Sequence, residues 1–222
     1  MTPVANNETS SMPSLLRLVS SEIGALARVV GNLPRRIAMP SMHVDSRSPS
    51  RTPVVFVHGL FGDPSNFVPL QRAAADRGIR NWGTFSYLPR LDFARLAPQL
   101  VETIRNLCNA SGADRVDVIG HSLGGLIGRY VAQSEHGGLI RRLVTLGAPY
   151  LPQAGPHQEL SIFASHDALI ATPERDPEIW PRMRVIEDCG HIGLLSHAQV
   201  LREVPAYLTR PELVRSRQAA AA

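Results

Sequence analysis

Only two cysteines occur in the 222 residues, Cys108 and Cys189, far apart and without CxxC spacing. That argues against a disulfide framework or a cysteine-ligated zinc site, and ordinary reduced thiols are expected. Aromatic residues make up only 5% of the chain, beside 17 glycines and 18 prolines. Such a balance suits many short elements joined by tight turns better than a long helical bundle. A basic block is also missing: the net charge of +4, with histidine neutral, comes from scattered arginines, which points away from nucleic acid as a partner. No unbroken apolar run is long enough for a bilayer span or for the centre of a secretory signal. The cytoplasm is the location this favours. What is present is 44% hydrophobic residues, enough to bury one sizeable core and consistent with one domain carrying an extension. No metal or cofactor is implied.

The first 52 residues read as that extension. Residues 1–13 are polar. Leu15, Val19, Ile23, Leu26, Val30 and Leu33 then recur at steps of three and four, which predicts an amphipathic helix over 14–33 that stops at Pro34. It is expected to pack on the main domain or a partner subunit; the alternative is peripheral contact with a membrane surface, for which Arg17 and Arg28 supply the positive charge. The serine-, arginine- and proline-rich stretch PSMHVDSRSPSRT, residues 40–52, reads as a linker. The folded domain is expected over 53–210, with a tail at 211–222.

Within that domain, strand-like and helix-like patterns alternate. PVVFVHG (53–59), TFSYL (84–88), RVDVIG (115–120), RRLVTLGAP (141–149), LSIFAS (160–165) and RVIEDC (184–189) read as strands. Helices are expected at 66–77, from 92, after Ser122 and at about 197–208. Strands that are continuous apolar runs, alternating with helices, imply an α/β fold with a mostly parallel sheet covered on both faces.

The stretch DVIGHSLGG, residues 117–125, passes from the strand into the pentapeptide Gly120-His121-Ser122-Leu123-Gly124 and then into a helix. A serine there has an ordinary reading as a helix N-cap. It also has a chemical one: a sharp strand-to-helix turn strains the serine backbone and exposes its hydroxyl above the sheet, and glycines on either side relieve the crowding.

VVFVHGLFG (54–62), VIGHSLGG (118–125), LVTLGAP (143–149), SHDALI (165–170) and CGHIGLLSHAQV (189–200) together make the chain resemble the α/β-hydrolase family. The likeness is nearest to small bacterial lipases and esterases that lack a lid domain, and it runs over residues 53–208. The extension has no counterpart in it. The resemblance implies an α/β-hydrolase fold with no cap domain. It also implies a nucleophile, an acid and a base in that chain order, filled here by Ser122, Asp167 and His191. A serine hydroxyl is a poor nucleophile until a histidine takes its proton, and a carboxylate holds that histidine in the right tautomer. Asp114, Asp117 and Asp176 compete for the acid; the first two fall before or inside the strand leading to the serine, and the third in a polar loop. Among the histidines, His58 and His121 suit packing and backbone hydrogen bonds, His166 adjoins Asp167, and His197 starts the last helix. By resemblance, the backbone N–H groups of Leu60 and Leu123 would stabilise an oxyanion.

Only about ten residues lie between Pro149 and the next strand, too few for a helical cap, so an open cleft and no interfacial activation are expected. The expected substrate is a small-molecule ester or a lipid ester. Acyl transfer or thioester cleavage by the same three residues is the first alternative, and a non-catalytic binding protein on the same fold is the second. Relatives of this type are often secreted, so secretion or membrane association stands beside the cytoplasm. Oligomeric state is not legible.

Overall fold

Val54, Val55, Phe56 and Val57 are each no more than 1% exposed, as a strand covered on both faces requires. They form β2 of a seven-stranded sheet with β1 (Met42–His43), β3 (Trp82–Phe85), β4 (Val116–His121), β5 (Ile140–Leu146), β6 (Gln158–Ala164) and β7 (Met183–Ile186). The computed structural model describes residues 41–60, 62–87, 93–150, 158–174 and 182–211. The helix expected at 14–33, the tail from 212 and Asp176 lie outside the described residues.

The strands lie in the order β1-β3-β2-β4-β5-β6-β7. All neighbours are parallel except β1, which is antiparallel to β3. From β2 the chain first moves one way, to β3, and then the other way, through β4 to β7. In such a sheet the crevice for a ligand opens at the carboxyl ends of the strands where the direction reverses. Here these are the ends of β2 and β4, which run into His58-Gly59-Leu60 and His121-Ser122.

Among the described residues four α-helices cover the sheet: α1 (Val68–Asp76), α2 (Phe93–Ser111), α3 (Leu123–Gln133) and α4 (Ala198–Leu208). Successive strand side chains point to opposite faces, and β2 divides accordingly. Val54 and Phe56 pack with Leu70 and Ala74 of α1 and with Val200, Val204 and Leu208 of α4. Val55 and Val57 pack with Leu100, Ile104 and Leu107 of α2 and with Ile127 and Val131 of α3. The sheet therefore separates two cores, each closed by a pair of helices. The interval from Leu146 to Gln158 leaves no room for a cap domain between β5 and β6. No described helix is long and apolar enough to cross a membrane, and both cysteines are buried free thiols.

Two elements differ from the sequence reading. The stretch read as a linker carries β1, where Met42 pairs with Gly83 and His43 with Trp82. Its polar residues bond to the turn before β3. The Asp45 N–H donates to Asn81 Oδ1 (2.7 Å), and the Gly78 carbonyl accepts from the Ser48 hydroxyl and the Ser50 N–H (both 3.1 Å). Strand β3 also begins two residues earlier than expected. Gly83 looks like a break in sequence, yet Leu107 of α2 sits over it, with Cδ2 3.4 Å from where a Cβ would stand. A missing side chain here makes room for a helix.

Candidate active site

Ser122 joins β4 to α3 with φ 52° and ψ −121°, a conformation that strains a residue bearing a Cβ by about 1–3 kcal/mol. The surroundings enforce it. A Cβ on Gly120 would lie 2.5 Å from the Gly124 carbonyl, and one on Gly124 would fall onto the carbonyls of Val57 and His58. Only glycines let the helix turn back this tightly against the strand ends. Ser122 occupies the N-cap position, but its side chain makes no capping bond, so capping does not explain the residue. Its N–H donates to the Leu146 carbonyl (2.8 Å), which ties the elbow to the end of β5.

The next residue, Gly147, meets His191: a Cβ there would stand 3.1 Å from the imidazole Nδ1. The Leu146–Gly147 pair thus has Ser122 bonded to one residue and the His191 ring packed on the other. Asp167 follows β6, and its carboxylate is divided between two tasks. Oδ1 accepts from the N–H groups of Leu169 and Ile170 (both 2.9 Å), which fixes the side chain. Oδ2 is 2.7 Å from His191 Nδ1. A carboxylate only accepts, so Nδ1 carries the proton and Nε2 is the basic nitrogen. Burial works to raise the Asp167 pKa, but the bonds from His191, Ile170 and Leu169 carry it below the usual 3.8. The carboxyl stays ionised beside the ring.

Leu60 follows Gly59 in the turn after β2, and Leu123 opens α3. Gly59 lies against the elbow, since a Cβ on it would be 3.1 Å from Ser122 Cβ. The Gly59 carbonyl accepts from His58 Nδ1 (2.8 Å) and from the Gly62 N–H (3.0 Å). In a planar trans peptide the N–H points opposite to the C=O, so pinning the Gly59 oxygen directs the Leu60 N–H the other way. Tyr87 holds His58 in turn. Its hydroxyl donates to the His58 carbonyl (2.7 Å), its N–H reaches His58 Nε2 (3.4 Å), and the two rings stack at 4.4 Å. Burial raises the Tyr87 phenol far above its usual pKa, leaving it a neutral donor. The Leu123 N–H is in the first turn of α3, where amides have no carbonyl one turn earlier and the helix presents its positive end.

The competing residues are engaged elsewhere. Asp117 is bound by Arg141 through Nε (2.9 Å) and Nη2 (2.5 Å), and Asp114 is exposed. His197 caps α4, accepting the Gln199 N–H. The His166 ring Nδ1 lies 3.1 Å from the Ser165 hydroxyl. Sequence reading passed over Tyr87 and Arg129. The signal for Arg129 was a charge within the apolar run LGGLIGRYVA. The residue is 3% exposed, bonds Glu159 of β6 (2.5 Å) and the Pro149 carbonyl (2.5 Å), and its guanidinium lies 5.7 Å from the centre of the Tyr150 ring. It therefore holds the chain on leaving β5 and on entering β6.

Known proteins resemble this chain in sequence and in fold. Over 93 residues the chain is 33% identical to a triacylglycerol lipase of Pseudomonas fragi, covering 40% of this chain and 32% of the lipase. Over 185 residues it is 23% identical to ethanol acetyltransferase 1 of Cyberlindnera fabianii, covering 78% of this chain and 52% of that protein. The chain thus spans about a third to a half of the length of these curated relatives. A solved esterase of Pyrococcus furiosus superposes with a TM-score of 0.57 at 14% identity, over 72% of this chain and 83% of the esterase, a likeness of fold. Residues 54–184, more than half of the sequence, match the model of one family. The chain belongs to the alpha/beta hydrolase family.

Proposed function

We propose that the protein hydrolyses carboxylic esters through an acyl-enzyme on Ser122. His191 Nε2 takes the Ser122 proton as Oγ bonds to the ester carbonyl carbon. The carbonyl oxygen becomes an oxyanion held by the N–H groups of Leu60 and Leu123, a type of contact that lowers such barriers by about 3–4 kcal/mol. The C–O bond to the alcohol then breaks, and the imidazolium returns its proton to the leaving oxygen. A water then bonds to the acyl carbon as the same nitrogen takes its proton, and the C–Oγ bond breaks as the imidazolium returns that proton to Ser122, releasing the acid. Asp167 stabilises the imidazolium and keeps Nε2 facing the work. The observation that carries this reading is the 2.7 Å bond between His191 Nδ1 and Asp167 Oδ2, because it sets the tautomer in which Nε2 is the proton-accepting nitrogen. Small esters and lipid esters are the substrates it suits, since no cap is built between β5 and β6. A fluorophosphonate should label Ser122, and turnover of a ladder of p-nitrophenyl esters should vanish in Ser122→Ala. Unlabelled Ser122, with hydrolysis indifferent to the substitution, would leave a binding protein on this fold as the better account.

Transfer of the acyl group to an alcohol in place of water is the second reading. It is favoured by the extent of the match to the ethanol acetyltransferase, 78% of this chain against 40% for the lipase. Turnover in the presence of ethanol separates the two by the ratio of ethyl ester to free acid.

A further inference from the structure

We propose that His121, the residue before the nucleophile, positions the base, its side chain fixing the elbow and the His191 loop relative to each other. The proposal rests on the reading of Ser122 and His191 given above. His121 closes β4 and is 6% exposed. Its Nε2 is 3.2 Å from the main-chain carbonyl of His191, and its ring centre is 4.7 Å from that of His191, inclined by 51°. A carbonyl oxygen can only accept, so Nε2 carries the ring proton.

The loop that bears the base is tied on both sides of Gly190. The Cys189 carbonyl accepts from the His166 N–H of the acid loop, and the His191 carbonyl accepts from His121 of the nucleophile elbow. The first bond uses a backbone N–H, which almost any residue supplies. The second requires a side chain of one reach. Three segments that meet only in the folded chain are thereby registered through two bonds to one loop. The groups facing His121 are His191, Asp167 and His58. Burial, and then the neighbouring His191, push its own pKa down to about 3, so the ring remains neutral when His191 becomes a cation. A second positive charge so close would oppose that step.

Three substitutions test the assignment. His121→Gln carries an amide nitrogen near the place of Nε2, His121→Asn is polar but shorter, and His121→Leu fills space without a donor. Misplacement of a base by part of an ångström lowers turnover steeply, so Asn and Leu should cut kcat roughly ten- to hundredfold with KM unchanged, and Gln should stay within about threefold of the parent. A second readout needs no turnover: the downfield proton resonance of His191 Nδ1–H bound to Asp167 should persist in His121→Gln and broaden or shift in the other two. If Leu does not fold, the Gln and Asn pair decides. Parent-like kcat in Asn or Leu, or a loss in Gln equal to theirs, overturns the proposal. Failure of the underlying reading looks different, since the unaltered protein would then neither react with fluorophosphonate nor turn over ester.

Discussion

The two ends of the parallel sheet use polar residues in opposite ways. At the amino end, Arg142 is 1% exposed and donates to the carbonyls of Tyr207 (2.9 Å) and Leu208 (2.7 Å) in the last turn of α4 and to that of Arg210 (2.7 Å) just beyond it, where helix carbonyls lack an intrahelical amide one turn on. Arg141 pairs with Asp117 and also reaches the Leu208 carbonyl (2.7 Å). The arginines and Asp117 hold the fold together at that end. At the carboxyl end, the backbone of Ser122 is strained, the His191 bond to Asp167 leaves Nε2 basic, and the Gly59 peptide is fixed in one orientation. Polar groups paired to the ends of helices and strands make an anchor, whereas at the proposed reaction site they fix the backbone strain and tautomer that chemistry needs.

That contrast is sharpest in how each end responds to losing a polar group. Asp167→Asn should reduce kcat on a p-nitrophenyl ester by roughly 10³–10⁴-fold, because an amide at that position favours the wrong imidazole tautomer. Its unfolding midpoint in urea should change little by comparison. Arg142→Met should do the reverse. Removing a buried charged donor from these three carbonyls, of which that of Leu208 is in a fully buried bond, should cost about 3 kcal/mol of stability, while kcat of the folded fraction persists. If Arg142→Met abolished turnover without changing the urea midpoint, the division between the ends would be wrong.

Titration provides a further separation. The folded pKa of His121 is about 3 against an ordinary 6.5, so between these values the unfolded chain binds the extra proton. Stability should therefore fall as pH drops through that window, by up to about 1.4 kcal/mol per unit from this group. Asp167 adds its own loss, but with a pKa below 3.8 its contribution is present above the unfolded value and goes only as pH falls through the folded one. Asp117, whose carboxyl burial holds above 3.8 against the lowering by Arg141, contributes with the opposite sign, so urea denaturation between about pH 4.5 and 6 reads the histidine by difference between the parent and a His121 variant. His121→Gln should flatten the slope there; an unchanged slope would mean that another group supplies it.

How much of this was legible depended on distance along the chain. The elbow lies within one pentapeptide, so Gly120, Ser122 and Gly124 announce it locally. The layered cores were legible from continuous apolar strand-like runs alternating with helical patterns. Asp167 and His191 are 24 positions apart, and no local pattern pairs them; they came from the order of motifs in a resembled family. The amino-end anchor was not legible, because Arg142 finds its partners 65 to 68 positions away and a paired arginine reads as one more scattered charge. Strand β1 was lost for another reason. It has two residues in a polar stretch, and its pairing with β3 leaves no hydrophobic period to read.

The smallest effects make the strictest test, since they should differ in sign. At the amino end, Asn81 accepts the Asp45 N–H, and Asn81→Ala should cost about 1 kcal/mol by leaving that amide without its partner. At the carboxyl end, Ser122→Gly removes the Cβ that makes φ 52° unfavourable. The strain relieved is about 1–3 kcal/mol, and the entropy that a glycine adds to the unfolded chain takes back up to about 1 kcal/mol. A net gain of about 1 kcal/mol should remain, alongside complete loss of turnover. Denaturation curves for the two variants should move to opposite sides of the parent. Were Ser122→Gly to destabilise as Asn81→Ala does, the elbow would not be strained, and the sheet's two ends would differ in chemistry but not in energy.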